Sequence, residues 1–393
     1  MGHQLYHNNW KGRIMNMKYE ISAQEQEWAR QVWDKLEKKI SAQNERLGSK
    51  MPYIPVDGRY EDMGEEHLTW WTNSFWSGIL WQTYHATGKQ CYADNAVAAE
   101  ARLDRALEEY TGLDHDIGFL WLHTAVADYR LTGNEKSKLR GVRAASVLAS
   151  RFQPAGNYFR AWNHGEDSVA IIDCLMNLPI LYWASEATGD SAWKMLAMAH
   201  ADMALREILR PDGSSNHIVA FDRETGEVTR KPGGQGYGEG SSWTRGQAWA
   251  IYGMALSYRH TGKQEYLDAS KRTAHYFLAN AALMDYDVVI DFRAPAEPVY
   301  YDNTAAACAA CGLLELSEHV PEPEKPLYIK SAVKLLQRLT EGFCNWETEE
   351  DGITMKGSAR YDRESDREVP IIYGDYFLVE GILRLLGKEF LIW

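Results

Sequence analysis

Long apolar runs are missing from this 393-residue sequence. Nowhere do about 18 apolar residues follow one another, as a membrane-spanning helix requires. The first 21 residues hold no apolar segment ahead of a small-residue cleavage site, so the pattern of an export signal is absent too. The expectation is a cytoplasmic protein without a membrane partner, one domain over residues 1–393, with 1–21 a loosely ordered extension. Positive charge is also short. Lys and Arg number 42 against 55 Asp and Glu, a net −13, and no basic run offsets it, which excludes binding a nucleic-acid backbone by phosphate neutralisation. An anionic ligand stays possible where Arg, His and backbone N–H groups meet it locally.

Cysteine is scarce: five residues, an odd number, of which only Cys308 and Cys311 are close in sequence. They lie in Ala305-Ala306-Ala307-Cys308-Ala309-Ala310-Cys311-Gly312, a run suited to a tightly packed helix. No second Cys-x-x-Cys or His pair accompanies them, so they read as core residues and no metal is expected. Gly233-Gly234-Gln235-Gly236-Tyr237-Gly238 lacks the preceding strand and the following Lys-Ser/Thr of a nucleotide loop, and reads as a rim loop. No cofactor is implied.

What the chain has in quantity is aromatic and helical. Fifteen Trp and 22 Tyr suit cores, interfaces and flat platforms for sugar rings. Four apolar helical stretches close on Thr-Gly plus a polar residue: Thr87-Gly88-Lys89, Thr132-Gly133-Asn134, Thr188-Gly189-Asp190 and Thr261-Gly262-Lys263. Glycine there fits a left-handed helix C-cap. A second helical pattern follows each, over residues 90–110, 135–152, 191–209 and 264–280. Residues 303–318 with 326–342, and 375–386 with 22–46, complete six helical hairpins, about twelve helices in all. Strand signals are confined to 218–221 and 228–231, one hairpin in a loop.

The first helix of each pair is apolar all round and the second on one face only, which predicts an inner ring wrapped by an outer ring. The fold class is all-α, an (α/α)6 barrel. Parallel inner helices would share one rim for their N-termini, where Thr72, Asn73, Ser74, His115, Asp116, Asp167, Asp173, Ser241, Ser242, Arg245, Asp302, Asn303, Thr304 and Asp375 fall. N-capping is the competing account of each Ser, Thr, Asn and Asp. Capping does not require Trp70-Trp71, His115, His217, Gln235, Trp243 and Trp249 nearby. Carboxylates, indole faces, Arg and His at a rim of positive helix ends suit an acidic sugar.

Six segments then resemble the unsaturated glucuronyl hydrolases of glycoside hydrolase family 88: Trp70 with Trp71-Thr72-Asn73-Ser74-Phe75-Trp76-Ser77-Gly78; Asp114-His115-Asp116-Ile117-Gly118-Phe119; Ile172-Asp173-Cys174-Leu175-Met176-Asn177; residues 236–249; Asp302-Asn303-Thr304-Ala305-Ala306; and Gly374-Asp375-Tyr376-Phe377. The likeness implies release of an unsaturated glucuronic acid from the non-reducing end of a lyase-generated oligosaccharide, glycosaminoglycan-type disaccharides included. It implies Asp173 as general acid and base, Asp116 as the second carboxylate, and contacts from Trp70, His115, His217, Gln235, Trp243, Arg245 and Trp249. In the reaction so implied, an acid protonates C4 of the C4=C5 enol ether, water adds at C5, and the hemiketal collapses. An unsaturated rhamnogalacturonyl hydrolase or an epimerase-type barrel are the alternatives. His85, His123 and His260 lie away from the rim, against the epimerase. The leaving sugar and oligomeric state stay open.

Overall fold

The computed structural model describes residues 18–110, 112–165 and 168–393. Most of the expected N-terminal extension and the rim candidate Asp167 lie outside the described residues. Twelve helices form the body among those residues. They are α1 (Ala23–Leu47), α2 (Phe75–Thr87), α3 (Gln90–Glu109), α4 (residues 117–132), α5 (Glu135–Ser150) and α6 (Pro179–Thr188) in the first half. The second half holds α7 (Ala192–Met203), α8 (Thr244–Thr261), α9 (Gln264–Ala282), α10 (Asn303–Ser317), α11 (Lys325–Gly342) and α12 (Ile372–Leu385).

The even-numbered helices ring the axis. In turn α2 packs on α4, α4 on α6, the turn before α6 on α8, α8 on α10, α10 on α12 and α12 on α2. Odd-numbered helices lie outside their partners, and α1 closes the sixth hairpin against α12. Burial follows from composition: every residue of α10 and α12 is buried, whereas α1 buries Ala29, Val32, Trp33, Leu36, Ile40 and Leu47 at helical spacing. Cys308 and Cys311 are buried in α10, as expected of core thiols. This is the (α/α)6 barrel.

At the end of the barrel remote from the inner N-termini, the hairpins close through the Thr-Gly turns. Gly88, Gly133, Gly189 and Gly262 all take positive φ, 69° to 75°, and donate back to Tyr84, Tyr129, Ser185 and Tyr258 carbonyls. The threonine before each glycine does two things. Its hydroxyl donates to the carbonyl four residues back and accepts the N–H two residues on, as Thr87 does with Thr83 (2.7 Å) and Lys89 (3.3 Å). Thr132, Thr188 and Thr261 repeat both bonds. The threonine therefore satisfies helix-end groups at both sides of the turn.

Two inner helices are less regular than their sequences suggest. In α4, His123 Nδ1 and Thr124 Oγ1 donate to the Phe119 and Leu120 carbonyls. That competes with the backbone ladder, and the helix widens to a π-turn over Leu122–Val126. Before α6 the apolar stretch that closes on Thr188-Gly189 is split. Ile172–Met176 is a 3₁₀ turn, and Pro179, which has no N–H to bond backwards, starts the α-helix.

Among the described residues five short strands lie at the rim. β1 (Phe152–Gln153) pairs with β2 (Tyr158–Phe159); β4 (Ile218–Phe221) and β5 (Val228–Arg230) are the expected hairpin. The sequence did not signal β3 (Ser168–Ile171), which pairs antiparallel with β4, Ile171 opposite Ile218. Among the described residues no helix is long and apolar enough to cross a membrane.

Candidate active site

A cavity of about 480 Å³ opens at the rim where the inner helices begin. Asp116 stands just before α4 and Asp173 within the 3₁₀ turn before α6. Asn177 joins them: its Nδ2 donates to Asp116 Oδ1 (3.1 Å) and to the Asp173 carbonyl (3.4 Å), and its Oδ1 accepts from Phe119 N (2.7 Å). The approach depends on Gly118. A Cβ there would sit 2.6 Å from the Asn177 Cα and carbonyl oxygen.

The β3–β4 pairing sets the next contact. Asp173 follows β3 and His217 precedes β4, with Ile172 N donating to the His217 carbonyl (3.0 Å), so the sheet holds the two side chains face to face. His217 Nε2 lies 3.6 Å from Asp173 Oδ2. His217 Nδ1 accepts from Gln235 N (2.9 Å). The Gln235 amide then reaches the Ala359 carbonyl (2.7 Å), and Tyr361 N donates back to Gln235 O (2.9 Å), tying the 358–370 segment to this histidine.

Arg245 is fully buried at the start of α8, between Trp243 and Tyr373 rings, 4.4 Å and 5.1 Å from its guanidinium carbon. It donates to Asp302 Oδ2 (3.1 Å) and to the Ser358 and Ala359 carbonyls. Arg360 and Arg363 at the mouth pair with Asp362 (2.5 Å) and Asp366 (3.2 Å). Each cavity arginine among the described residues thus already faces a carboxylate.

Burial dominates the proton affinities. It pushes the Asp173 carboxyl above its ordinary value, against the opposing pull of Arg245 and His115. Asp116 is raised further, by burial and then by the charges of Asp114 and Asp173. Burial lowers His115, and takes His217 down to about 3 with Arg245 and His115 adding to the effect. A helix end of one 3₁₀ turn is too short to reverse this for Asp173. The site therefore rests with neutral imidazoles and carboxyl groups that hold protons unusually well.

Of the nine residues singled out by sequence, Asp116, Asp173, Trp70, His217, Gln235 and Arg245 line the cavity together. His115, Trp243 and Trp249 stand behind its wall. His115 reaches Asp116 with Nε2 (3.2 Å), Trp243 packs on His217 with ring centres 4.4 Å apart, and Trp249 sits between Phe119 and Phe377. Other rim candidates among the described residues serve the frame. Asp302 caps α10, whereas Ser74 donates to the Phe119 carbonyl, Asn73 to His67 and Leu68, and Asp375 accepts from Ile353, Thr354 and Tyr60. Sequence reasoning missed Tyr53, Thr69, Asp114, Trp162 and His164 in the lining. Trp162 and His164, an aromatic and a histidine two apart in a polar stretch, carried a signal; Tyr53 and Thr69 carried none. Asp114, His115 and Asp116 bring possible metal ligands within 4.8 Å of one another, but His115 Nδ1 is taken by the Ala161 carbonyl (3.1 Å) and Asp114 Oδ1 by Asp116 N (2.9 Å).

A barrel of six helical hairpins with paired carboxyl groups, histidine, arginine and tryptophan at one rim defines a carbohydrate-cleaving enzyme of the α/α-barrel class. Residues 49–281 match Glycosyl Hydrolase Family 88, and the chain belongs to that family. It is 38% identical over 368 residues to the unsaturated glucuronyl hydrolase of Bacillus sp. (strain GL1), covering 91% of this chain and 96% of the relative. With the unsaturated chondroitin disaccharide hydrolase of Streptococcus pyogenes serotype M1 it shares 32% over 342 residues, 80% of this chain and 81% of the other. The crystal structure of an unsaturated glucuronyl hydrolase responsible for the degradation of glycosaminoglycan, from Bacillus sp. GL1, superposes with a TM-score of 0.85 at 36% identity, covering 91% of this chain and 96% of that one.

Proposed function

We propose that this glycoside hydrolase releases unsaturated glucuronic acid from the non-reducing end of lyase-generated disaccharides of the glycosaminoglycan type, and that Asp173 carries the chemistry. Similarity to glucuronyl and chondroitin disaccharide hydrolases favours this leaving-sugar class over a rhamnogalacturonide. The observation that carries the assignment is the position of Asp173: a buried carboxyl of raised proton affinity, on the cavity wall, facing His217 and backed by Asp116 and Arg245.

The protonated Asp173 carboxyl gives its proton to C4 of the enol ether, leaving an oxocarbenium ion at C5. The resulting carboxylate takes a proton from the water that adds at C5, which restores the acid. The hemiketal opens and expels the neighbouring sugar. Arg245 and His217 N–H stabilise the interim carboxylate and meet the uronate. Trp70 offers its face at the mouth. Trp243 and Trp249 act through the residues they support rather than by touching sugar. Residues 1–393 work as one catalytic domain, and five free thiols accord with a reducing, cytoplasmic setting.

The test follows loss of the enol-ether absorbance, roughly 230–240 nm for this chromophore, over a panel of lyase-generated disaccharides. Asp173→Asn is expected to abolish turnover while retaining uronate binding by calorimetry. Turnover near the wild-type rate in that variant overturns the assignment.

A further inference from the structure

The two histidines of the site are held in opposite tautomers by backbone groups that cannot reverse. Ala161 presents a carbonyl to His115 Nδ1 (3.1 Å), and a carbonyl only accepts, so Nδ1 bears the proton and Nε2 of the neutral ring is a lone pair. That nitrogen lies 3.2 Å from Asp116 Oδ1. Gln235 presents an N–H to His217 Nδ1 (2.9 Å), so there Nδ1 is the lone pair and Nε2 bears the proton, 3.6 Å from Asp173 Oδ2. Neither Nε2 is engaged in a hydrogen bond among the described residues, so each is open to its neighbouring carboxyl group. The two carboxyl groups are thereby distinguished: Asp116 meets an acceptor, Asp173 a donor.

An acceptor beside a carboxyl favours its protonated form and a donor the ionised form. We propose that His115 is a positioning residue that keeps one proton on the His115–Asp116 pair, so that Asp116 enters the reaction as a neutral acid while His217 prepares Asp173 to become the carboxylate. The inference rests on the function proposed above. Charge supports it. The uronate brings one negative charge to a cavity whose described arginines are already matched by Asp302, Asp362 and Asp366. A second anion at Asp116 would repel it, with Arg151 as the opposing charge beside Asp116. Groups around the pair act in both directions: Asp114 and Asp173 on adjoining segments disfavour a second ionised carboxyl, Arg151 at the end of α5 favours one, and Cys174, His200 and His217 are neutral. Burial of Asp116 and His115 adds to the preference. The Asn177 N–H still reaches Oδ1, since a hydroxyl oxygen accepts while donating. A proton on Asp116 is mobile; an amide proton in its place is not.

His115→Asn can keep the donor to Ala161 but leaves Asp116 without an acceptor, whereas His115→Gln can place its amide oxygen near the former Nε2. The experiment is the pH profile of kcat/KM for wild type and both variants on an unsaturated disaccharide, with ¹⁵N NMR of histidine-labelled wild-type enzyme. The alkaline limb, which reports first proton loss from the carboxyl set, is expected to fall by about one pH unit in His115→Asn and to return toward wild type in His115→Gln. NMR is expected to show an Nδ1–H ring at 115 and an Nε2–H ring at 217. A uniform drop in rate without movement of the limb in His115→Asn, or the same tautomer at both positions, overturns the inference. The NMR reading decides it even where a variant fails to fold. Wild-type enzyme inert on every unsaturated uronide would instead sink the function on which it rests.

Discussion

Gly118→Ala tests how closely the catalytic pair depends on helix approach rather than on the residues that do the chemistry. Glycine 118 touches no part of the cavity, yet its missing Cβ would lie 2.6 Å from the Asn177 Cα and carbonyl oxygen. Ordinary carbon contacts sit at about 3.5–4.0 Å, so α4 and the segment before α6 must part by roughly 1 Å. Both ends of that opening are backbone, which has no rotamer to yield. Asn177 links Asp116 to the Asp173 carbonyl across this very gap, so the separation is transmitted to the carboxyl pair. A displacement of about 1 Å in a reacting group costs on the order of 10²-fold in rate, and overpacking of this kind about 1–3 kcal/mol in stability. Initial rates by absorbance loss, beside urea unfolding, measure both. A folded Gly118→Ala enzyme within about threefold of wild-type kcat/KM would refute the argument, since it would show the carboxyl geometry to be indifferent to the 1 Å opening.

Two further perturbations address the frame. Gly133→Ala and Gly262→Ala meet no neighbouring atom within 4 Å, so any loss comes from the left-handed backbone alone. About 1–2 kcal/mol is expected for each by urea unfolding, and no change in kcat; unaltered stability would contradict the cap assignment. Glu100 is a buried carboxyl taken up to about 7 by burial, although Ser137 (2.7 Å) and Arg140 (2.9 Å) donate to it. Its folded form binds a proton more tightly than the unfolded chain, so its contribution to stability is complete below about pH 4.5 and declines as pH rises to about 7. Glu100→Gln should therefore gain on wild type between about pH 5 and about pH 8 in urea midpoint; a difference independent of pH would contradict it.

The frame was open to reading because its signals are local. A Thr-Gly turn is dictated by backbone conformation, and all-round apolarity by burial, so six hairpins and two rings followed from residues 22–386 without tertiary knowledge. Asp116, Asp173 and Arg245 stood out for the same reason: they fall where inner helices begin. What was hidden depends on partners distant in sequence. Ser168–Ile171 is a short apolar stretch that periodicity cannot tell from helix, and only pairing with Ile218–Phe221 makes it the strand that brings His217 to Asp173. Residue type could not say that His115, Trp243 and Trp249 lie behind the cavity wall rather than on it. The course of residues 358–361 is set by Arg245 and Gln235, more than a hundred residues away.

The tight turns all lie at one end of the barrel, and the other end is connected differently. Residues 48–74, 110–116, 151–178, 209–243, 283–302 and 343–371 join outer to inner helices at the rim, against Gly88-Lys89, Gly133-Asn134 and Gly262-Lys263 at the far end. Extra length in a connection that carries none of the proton-transfer groups, such as 343–371, adds little closure entropy and disturbs no helix packing, so sequence there is free to drift, lengthen or be exchanged. The architecture is in that sense a chassis with a replaceable face. New substrate preferences can be acquired, by evolution or by grafting, through the 343–371 connection while the twelve helices and the proton-transfer groups at their ends stay in place.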